Sequence, residues 1–201
     1  VTDPTRSPVP APAKRRILDA ADALFSGEGI RAVGVDRLIA TAQVTKATFY
    51  KHFGSKDRLV VAYLDARHES LVALVENQAA AAADPVEAIR AVLEGILHEV
   101  GAPGNRGSAF LNAAAEHPDP RHPVREAVAR HRGWLTEIAE RLVTEMGHPL
   151  PREAADELVL TYEGALMGGY AGDAVSSAAV LGRVVERVIH EAQVASVSVP
   201  A

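Results

Sequence analysis

Residues 33–59 read VGVDRLIATAQVTKATFYKHFGSKDRL, and the fold follows from how this stretch divides into two short helical runs around a turn. The spacing predicts a helix over 35–41, with Leu38 and Ala42 on one face, then a second run in which Val44, Phe49 and Phe53 supply the apolar side. Thr45 is a good N-cap for that second run, because its hydroxyl can accept from the N–H groups of the first turn. The side chains left to face outward are Thr45, Lys46, Ala47, Thr48, Tyr50, Lys51 and His52. That face carries cations, hydroxyls and an imidazole but no carboxylate, a composition suited to the grooves and phosphates of DNA.

Upstream, residues 1–13 contain Pro4, Pro8, Pro10 and Pro12 without a periodic apolar pattern, and are expected to be a disordered arm. Ile17, Ala20, Ala21, Leu24 and Phe25 then follow the spacing of an amphipathic helix that is expected to stop at Gly27 and Gly29. The string from Gly27 to Ala32 formally matches a dinucleotide-binding fingerprint. It follows a helix instead of a strand, so the phosphate-cradling geometry is missing.

The segment from Ala42 to Lys56, AQVTKATFYKHFGSK, resembles the helix-turn-helix signature of the TetR family of bacterial transcriptional regulators, with the likeness specific over residues 17–59. Two positions depart from the family pattern: Gln43 stands where a turn glycine is usual, and Ile39 where a small alanine is common. The resemblance implies that Thr45, Lys46, Ala47 and Thr48 form the groove-facing start of a recognition helix. It implies phosphate contacts for Tyr50, Lys51 and His52. Lys56, beside the N-cap Ser55, would add its ammonium and a helix N-terminus to those contacts.

Charge is divided in the same sense. The chain of 201 residues has a net charge of −5, yet residues 1–60 hold ten Lys/Arg against six Asp/Glu, and residues 61–201 hold eleven against twenty. A basic head on an acidic body can bind phosphate locally, because salt screens charge beyond roughly 8–10 Å. With 48% hydrophobic and 23% charged residues the composition is that of a globular protein able to bury its own core. There is no cysteine, which excludes disulfides and thiolate metal sites. The N-terminus lacks an apolar signal core, and the hydrophobic region 158–181 is broken by Glu163, Asp173 and glycines, so a soluble, cytoplasmic protein is expected.

The remainder reads as helices over 56–83, 86–100, 108–116, 123–146, 151–171 and 176–194, with Asp84-Pro85 opening one of them and a loop over 101–107. The expected fold class is all-α: an N-terminal three-helix helix-turn-helix DNA-binding domain over 14–58, then a larger helical ligand-binding and dimerisation domain over 59–201. The last two helices offer more apolar surface than a small body needs, and Gly164, Gly168 and Gly172 recur at i, i+4 to leave a flat strip. The resemblance implies that these helices form a dimer interface, assigned to Leu158, Gly164, Gly168, Gly172, Val184 and Val188. It also places effectors among the body helices, where Phe110, Asn112, Trp134, Ile138, Tyr162 and Met167 are the candidate ligand-binding residues.

No catalytic site is expected. His68-Glu69, His98-Glu99 and His190-Glu191 each lack the second histidine of a zinc-protease helix, and neither a nucleophile elbow nor a phosphate loop is present. His117 and His122 flank a turn with two prolines, which favours solvent over a metal, and no cofactor is expected. The resulting reading is a homodimeric, ligand-responsive transcriptional regulator, a repressor released from a palindromic operator on double-stranded DNA by a small-molecule effector. The alternative is a helical small-molecule binding protein or enzyme that keeps the helix-turn-helix as scaffold.

Overall fold

In a computed structural model, residues 12–102 and 106–197 are described, and their secondary structure is helical throughout. Most of the expected disordered arm therefore lies outside the described residues. The helices are α1 (Ala13–Glu28), α2 (Val35–Ala42), α3 (Lys46–Phe53), α4 (Lys56–Ala81), α5 (Pro85–Gly101), α6 (Ala109–Glu116), α7 (Pro123–Glu145), α8 (Pro151–Tyr170) and α9 (Ala174–Val197). Two compact units result, one ending at Tyr63 and the other beginning at Leu64.

In the first unit, Ile17, Ala20, Ala21, Leu24 and Phe25 of α1 are buried at the spacing the sequence sets out. α1 runs one turn further than expected at its start, from Ala13, and through Gly27 to Glu28. Gly29 then closes it at φ 90°, with its N–H donating to the Phe25 carbonyl at 3.0 Å. Phe25 meets Tyr63 edge to face at 5.4 Å between ring centroids, and the Tyr63 hydroxyl lies 3.4 Å from Ser26 Oγ. Leu59, Val60 and Tyr63 are buried in this unit. The first turns of α4 thus belong to the head, and the division falls after Tyr63 instead of after residue 58.

The second unit is built around α5, α7, α8 and α9, whose facing apolar rows form one core that includes Ile89, Leu93, Val143, Leu158, Leu181, Val188 and Ile189. Its helix starts are capped by the residues the sequence supplies. Asp84 Oδ1 accepts from the Glu87 N–H at 2.8 Å while Glu87 Oε2 accepts from the Ala83 N–H at 2.6 Å, and Ser108 Oγ accepts from the Leu111 N–H at 3.2 Å. Pro85, Pro123 and Pro151 stand at the first helical positions, where a missing N–H costs nothing. His122 caps α7, its Nδ1 accepting from the Val124 N–H at 3.3 Å, and His117 Nδ1 donates to the Ala113 carbonyl at 2.7 Å.

The turn between α8 and α9 explains part of the glycine pattern. Gly172, at φ 103°, donates to the Gly169 carbonyl at 3.3 Å and Asp173 to Gly168 at 3.1 Å; Asp173 Oδ1 then accepts from the Ser176 N–H at 3.1 Å. Gly168 lets α9 come close, since a Cβ there would lie 2.2 Å from Ser177 Oγ. Arg90 is joined to Glu186 by two bonds of 2.9 and 2.8 Å, tying α5 to α9, and Arg187 bonds both Glu157 and Glu191. No helix of the described residues is long and apolar enough to cross a membrane.

Candidate nucleic-acid interface

The angle between α2 and α3 is made by Gln43. It adopts the left-handed conformation, φ 51° and ψ 50°, and is the one residue other than glycine at positive φ among those described. Its N–H donates to the Ala40 carbonyl and that of Val44 to Ile39, both at 3.2 Å, which closes the helix in a Schellman arrangement. A glycine would take this conformation without a Cβ penalty, so the departure noted in the sequence falls on the position that carries the turn's strain.

Thr45 then opens α3 in an extended conformation. Its Oγ1 accepts from the Thr48 N–H at 3.1 Å, and the two threonine hydroxyls lie 2.9 Å apart. α3 is anchored from below by Phe49 and Phe53, buried to 0% and 6% exposure with rings 6.2 Å apart. This fixes which side faces outward. Thr45, Lys46, Ala47, Tyr50, Lys51 and His52 are exposed and Thr48 is half-buried, so these sequence-derived candidates share the accessible side of one short helix. Tyr50 keeps 44% of its surface exposed while its ring meets Phe49 edge on at 5.3 Å.

Gly54 ends α3 at φ 73°, its N–H donating to the Tyr50 carbonyl at 2.9 Å, and Ser55 caps α4 by accepting the Arg58 N–H at 3.2 Å. Lys56 therefore sits in the first turn of α4, half-buried, beside a positively polarised helix end. The sequence reading missed one neighbour. Asp36, on α2, stands 3.7 Å from Lys46 Nζ, so the accessible face is not free of carboxylate. Both groups are largely exposed, and a surface pair of this kind is worth at most ~1 kcal/mol; a phosphate or a base can displace it. The signal was present in the sequence, since Asp36 is the first-turn acid of α2.

In the second unit the six candidate ligand-binding residues are not brought together. Ile138 and Tyr162 line an apolar cavity of about 90 Å³, walled also by Leu71, Val75, Leu93 and Leu181. Phe110 and Trp134 belong to a different cluster. Phe110 stacks on His131 at 3.5 Å, and Trp134 meets His68 edge on at 5.1 Å, while His68 and His131 share a 3.1 Å contact between their Nδ1 atoms. Burial and the neighbouring His68 lower the His131 pKa to about 4. Asn112 donates to the Arg106 carbonyl at 2.8 Å, and Met167 packs at Gly107, where a Cβ would lie 2.5 Å from its sulfur. Periodicity could identify inward-facing residues but could not say which of them border a void.

The candidate dimer residues also divide. Val188 is fully buried and Leu158 is 8% exposed within the chain's own core, so neither has surface left to offer a partner. Gly168 is spent on contact with Ser177, and Gly172 on the turn. Gly164 is exposed with nothing near its Cβ position, and Val184 is half-buried. Leu160, 59% exposed, and Val180, 43% exposed, are apolar residues on the same two helices that were not among the candidates.

Residues 17–63 match the family model described as "Bacterial regulatory proteins, tetR family". The chain is 38% identical to the crystal structure of a TetR-family transcriptional regulator from Streptomyces coelicolor, covering 90% of this chain and 95% of that one with a TM-score of 0.85. It is 25% identical over 158 residues to the HTH-type transcriptional regulator LmrA of Bacillus subtilis, covering 77% of this chain and 84% of that protein. A third likeness is 33% identity over 79 residues to the HTH-type transcriptional activator FasR of Mycolicibacterium smegmatis, covering 39% of this chain and 36% of that protein. With a helix-turn-helix head whose outer face is assembled as above and a relative matched over nearly its whole length, the chain belongs to the TetR family of transcriptional regulators.

Proposed function

We propose that the protein is a homodimeric, cytoplasmic repressor that binds a palindromic operator through α3 and leaves it when a small molecule binds the body. The observation that carries this reading is the accessible side of α3, where hydroxyls, two lysines and an imidazole stand on a floor of buried Phe49 and Phe53. In this reading Thr45, Lys46, Ala47 and Thr48 face base edges. Lysine can donate to guanine, and a threonine methyl can pack on a thymine methyl. Tyr50, Lys51, His52 and Lys56 hold phosphates, which position the helix without reading sequence.

A single eight-residue helix reads few base pairs, so two copies related by a two-fold axis are needed for a site of useful length. The exposed apolar residues Leu160 and Val180, with Gly164 and Val184 on the same two helices, are the surface assigned to that contact. The effector acts by its differential affinity for DNA-competent and DNA-incompetent states, and lowers DNA affinity by that difference. Repression follows from occupancy of the operator without ligand. FasR is named an activator, and a reporter placed behind the selected operator decides the sign: deletion of the regulator raises expression in this reading and lowers it in the other.

The site assignment is tested by selecting bound fragments from random DNA and measuring affinity for variants of the selected site. Lys46→Ala and Thr48→Ala should alter preference at individual base pairs by about 1–3 kcal/mol for each lost contact. An equal loss on every sequence would assign these residues to phosphate instead.

A further inference from the structure

Asp36 stands beside α3, where a carboxylate works against phosphate binding. Its Oδ1 lies 3.7 Å from Lys46 Nζ, reaching from α2 to α3, and the two side chains are 90% and 68% exposed. As a first-turn acid it steadies α2, but an acid in that turn does so wherever it points. This one is set against a lysine of another helix, so an acceptor and a donor are presented side by side to whatever α3 meets. We infer that Asp36 and Lys46 together read one G·C pair in the major groove, Lys46 donating to the guanine and Asp36 accepting from the cytosine amino group. This inference rests on the DNA-binding reading above and adds to it a base-reading residue from outside α3.

The major-groove edge of a G·C pair matches the two groups. Guanine shows two adjacent acceptors, N7 and O6, and cytosine one donor, its N4 amino group. O6 and N4 are hydrogen-bonded to each other and so lie about 2.9 Å apart, within the span of an ammonium and a carboxylate separated by 3.7 Å. An A·T pair fits less well. Its amino group lies between two acceptors, adenine N7 and thymine O4, which repel a carboxylate, and the thymine methyl crowds the O4 that an ammonium would seek. Facing a pair with no cytosine amino group in reach, Asp36 gives up hydration without a bond in return and adds its charge to that of the phosphates. Lys46 alone would settle on any base acceptor, whereas the carboxylate penalises the wrong ones.

The test measures the affinity of the chain for the selected operator and for operators carrying each other base pair at every position, with Asp36→Ala, Asp36→Asn, Lys46→Ala and the double variant of Asp36→Ala with Lys46→Ala. At one position of each half-site, Asp36→Ala should weaken binding to G·C about tenfold and tighten binding to the three replacements about threefold. Asp36→Asn should move the preferred base from cytosine towards adenine, since an amide pairs with adenine N6 and N7. In the Lys46→Ala background, Asp36→Ala should still alter the choice of base pair. Tighter binding of Asp36→Ala to every sequence alike would overturn the inference and leave Asp36 a surface acid. A choice of base pair that no longer responds to Asp36→Ala once Lys46 is gone would also overturn it, because Asp36 would then only hold the lysine. An operator whose recognition changes with Lys46→Ala or Thr48→Ala, but with neither Asp36 variant, defeats this inference alone. A chain that selects no DNA sequence defeats the operator reading together with it.

Discussion

Gln43 is where the chain departs from the family pattern and where the backbone is least comfortable. A β-carbon in the left-handed region crowds the following carbonyl oxygen at a cost of about 1 kcal/mol, and the turn between α2 and α3 holds Gln43 there at φ 51°. Gln43→Gly should therefore raise stability by about 0.5–1 kcal/mol in chemical denaturation, the relief of strain exceeding the extra freedom glycine gains when unfolded. A loss of stability on that change would mean that the Gln43 side chain makes a contact worth more than the strain. His131 is the second residue with a measurable signature. In the unfolded chain a histidine takes up its proton near pH 6.5, whereas the buried His131 does so only near pH 4. Between those values the unfolded state binds the extra proton, so the body loses stability as pH falls through that window and keeps it above. His131→Phe, which preserves the stack on Phe110, should flatten the stability profile between pH 6.5 and 4. An unchanged slope would assign the acid sensitivity to the carboxylates.

At the scale of elements, the α8–α9 hairpin shows what sequence pattern reaches and where it stops. The boundaries of α5 to α9 were legible to within a few residues, because Asp84, Ser108, Pro123 and Pro151 announce helix starts and Gly172 an end. Which glycine does what was not legible. A repeat of glycines at i, i+4 is the same string whether the neighbouring helix belongs to a partner or to the same chain. Gly168 lies against its own α9, and nothing stands close to Gly164. Leu158 and Val188, buried within the chain's own core, carry the same ambiguity, since an apolar residue on an amphipathic helix does not say which of two apolar surfaces it meets. Gly168→Ala should cost about 1 kcal/mol in thermal or chemical unfolding, because Ser177 Oγ must turn away and its Cβ still lies 3.3 Å from the new methyl. Ser177→Ala in the same chain should recover part of that loss. Full tolerance of Gly168→Ala would show that the helices separate at no cost.

For the molecule as a whole, the helix-turn-helix was readable because several independent signals coincide on one short stretch. Thr45 and Ser55 announce two helix starts, Phe49 and Phe53 fix which side is buried, and the polar residues that remain are mostly cationic or hydroxylic. Local propensity, patterning and capping agree there, which is the condition under which sequence specifies structure most firmly. The body offered no such coincidence. Its cavity is the gap left by side chains from several helices, and no local run of sequence encodes a gap. Hence the residues bordering it were found only in part.

The central claim is that α3 and the start of α4 bind DNA, and the salt dependence of binding to the selected operator tests it most directly. Each phosphate contact adds to the counterions released on binding, so log K should fall linearly with log salt concentration. Lys56→Ala should reduce that slope by about 1, and Tyr50→Ala should weaken binding while leaving the slope near its wild-type value, since a phenol carries no charge. Binding that is indifferent to salt, or a slope unchanged in Lys56→Ala together with full affinity in Tyr50→Ala, would contradict the account.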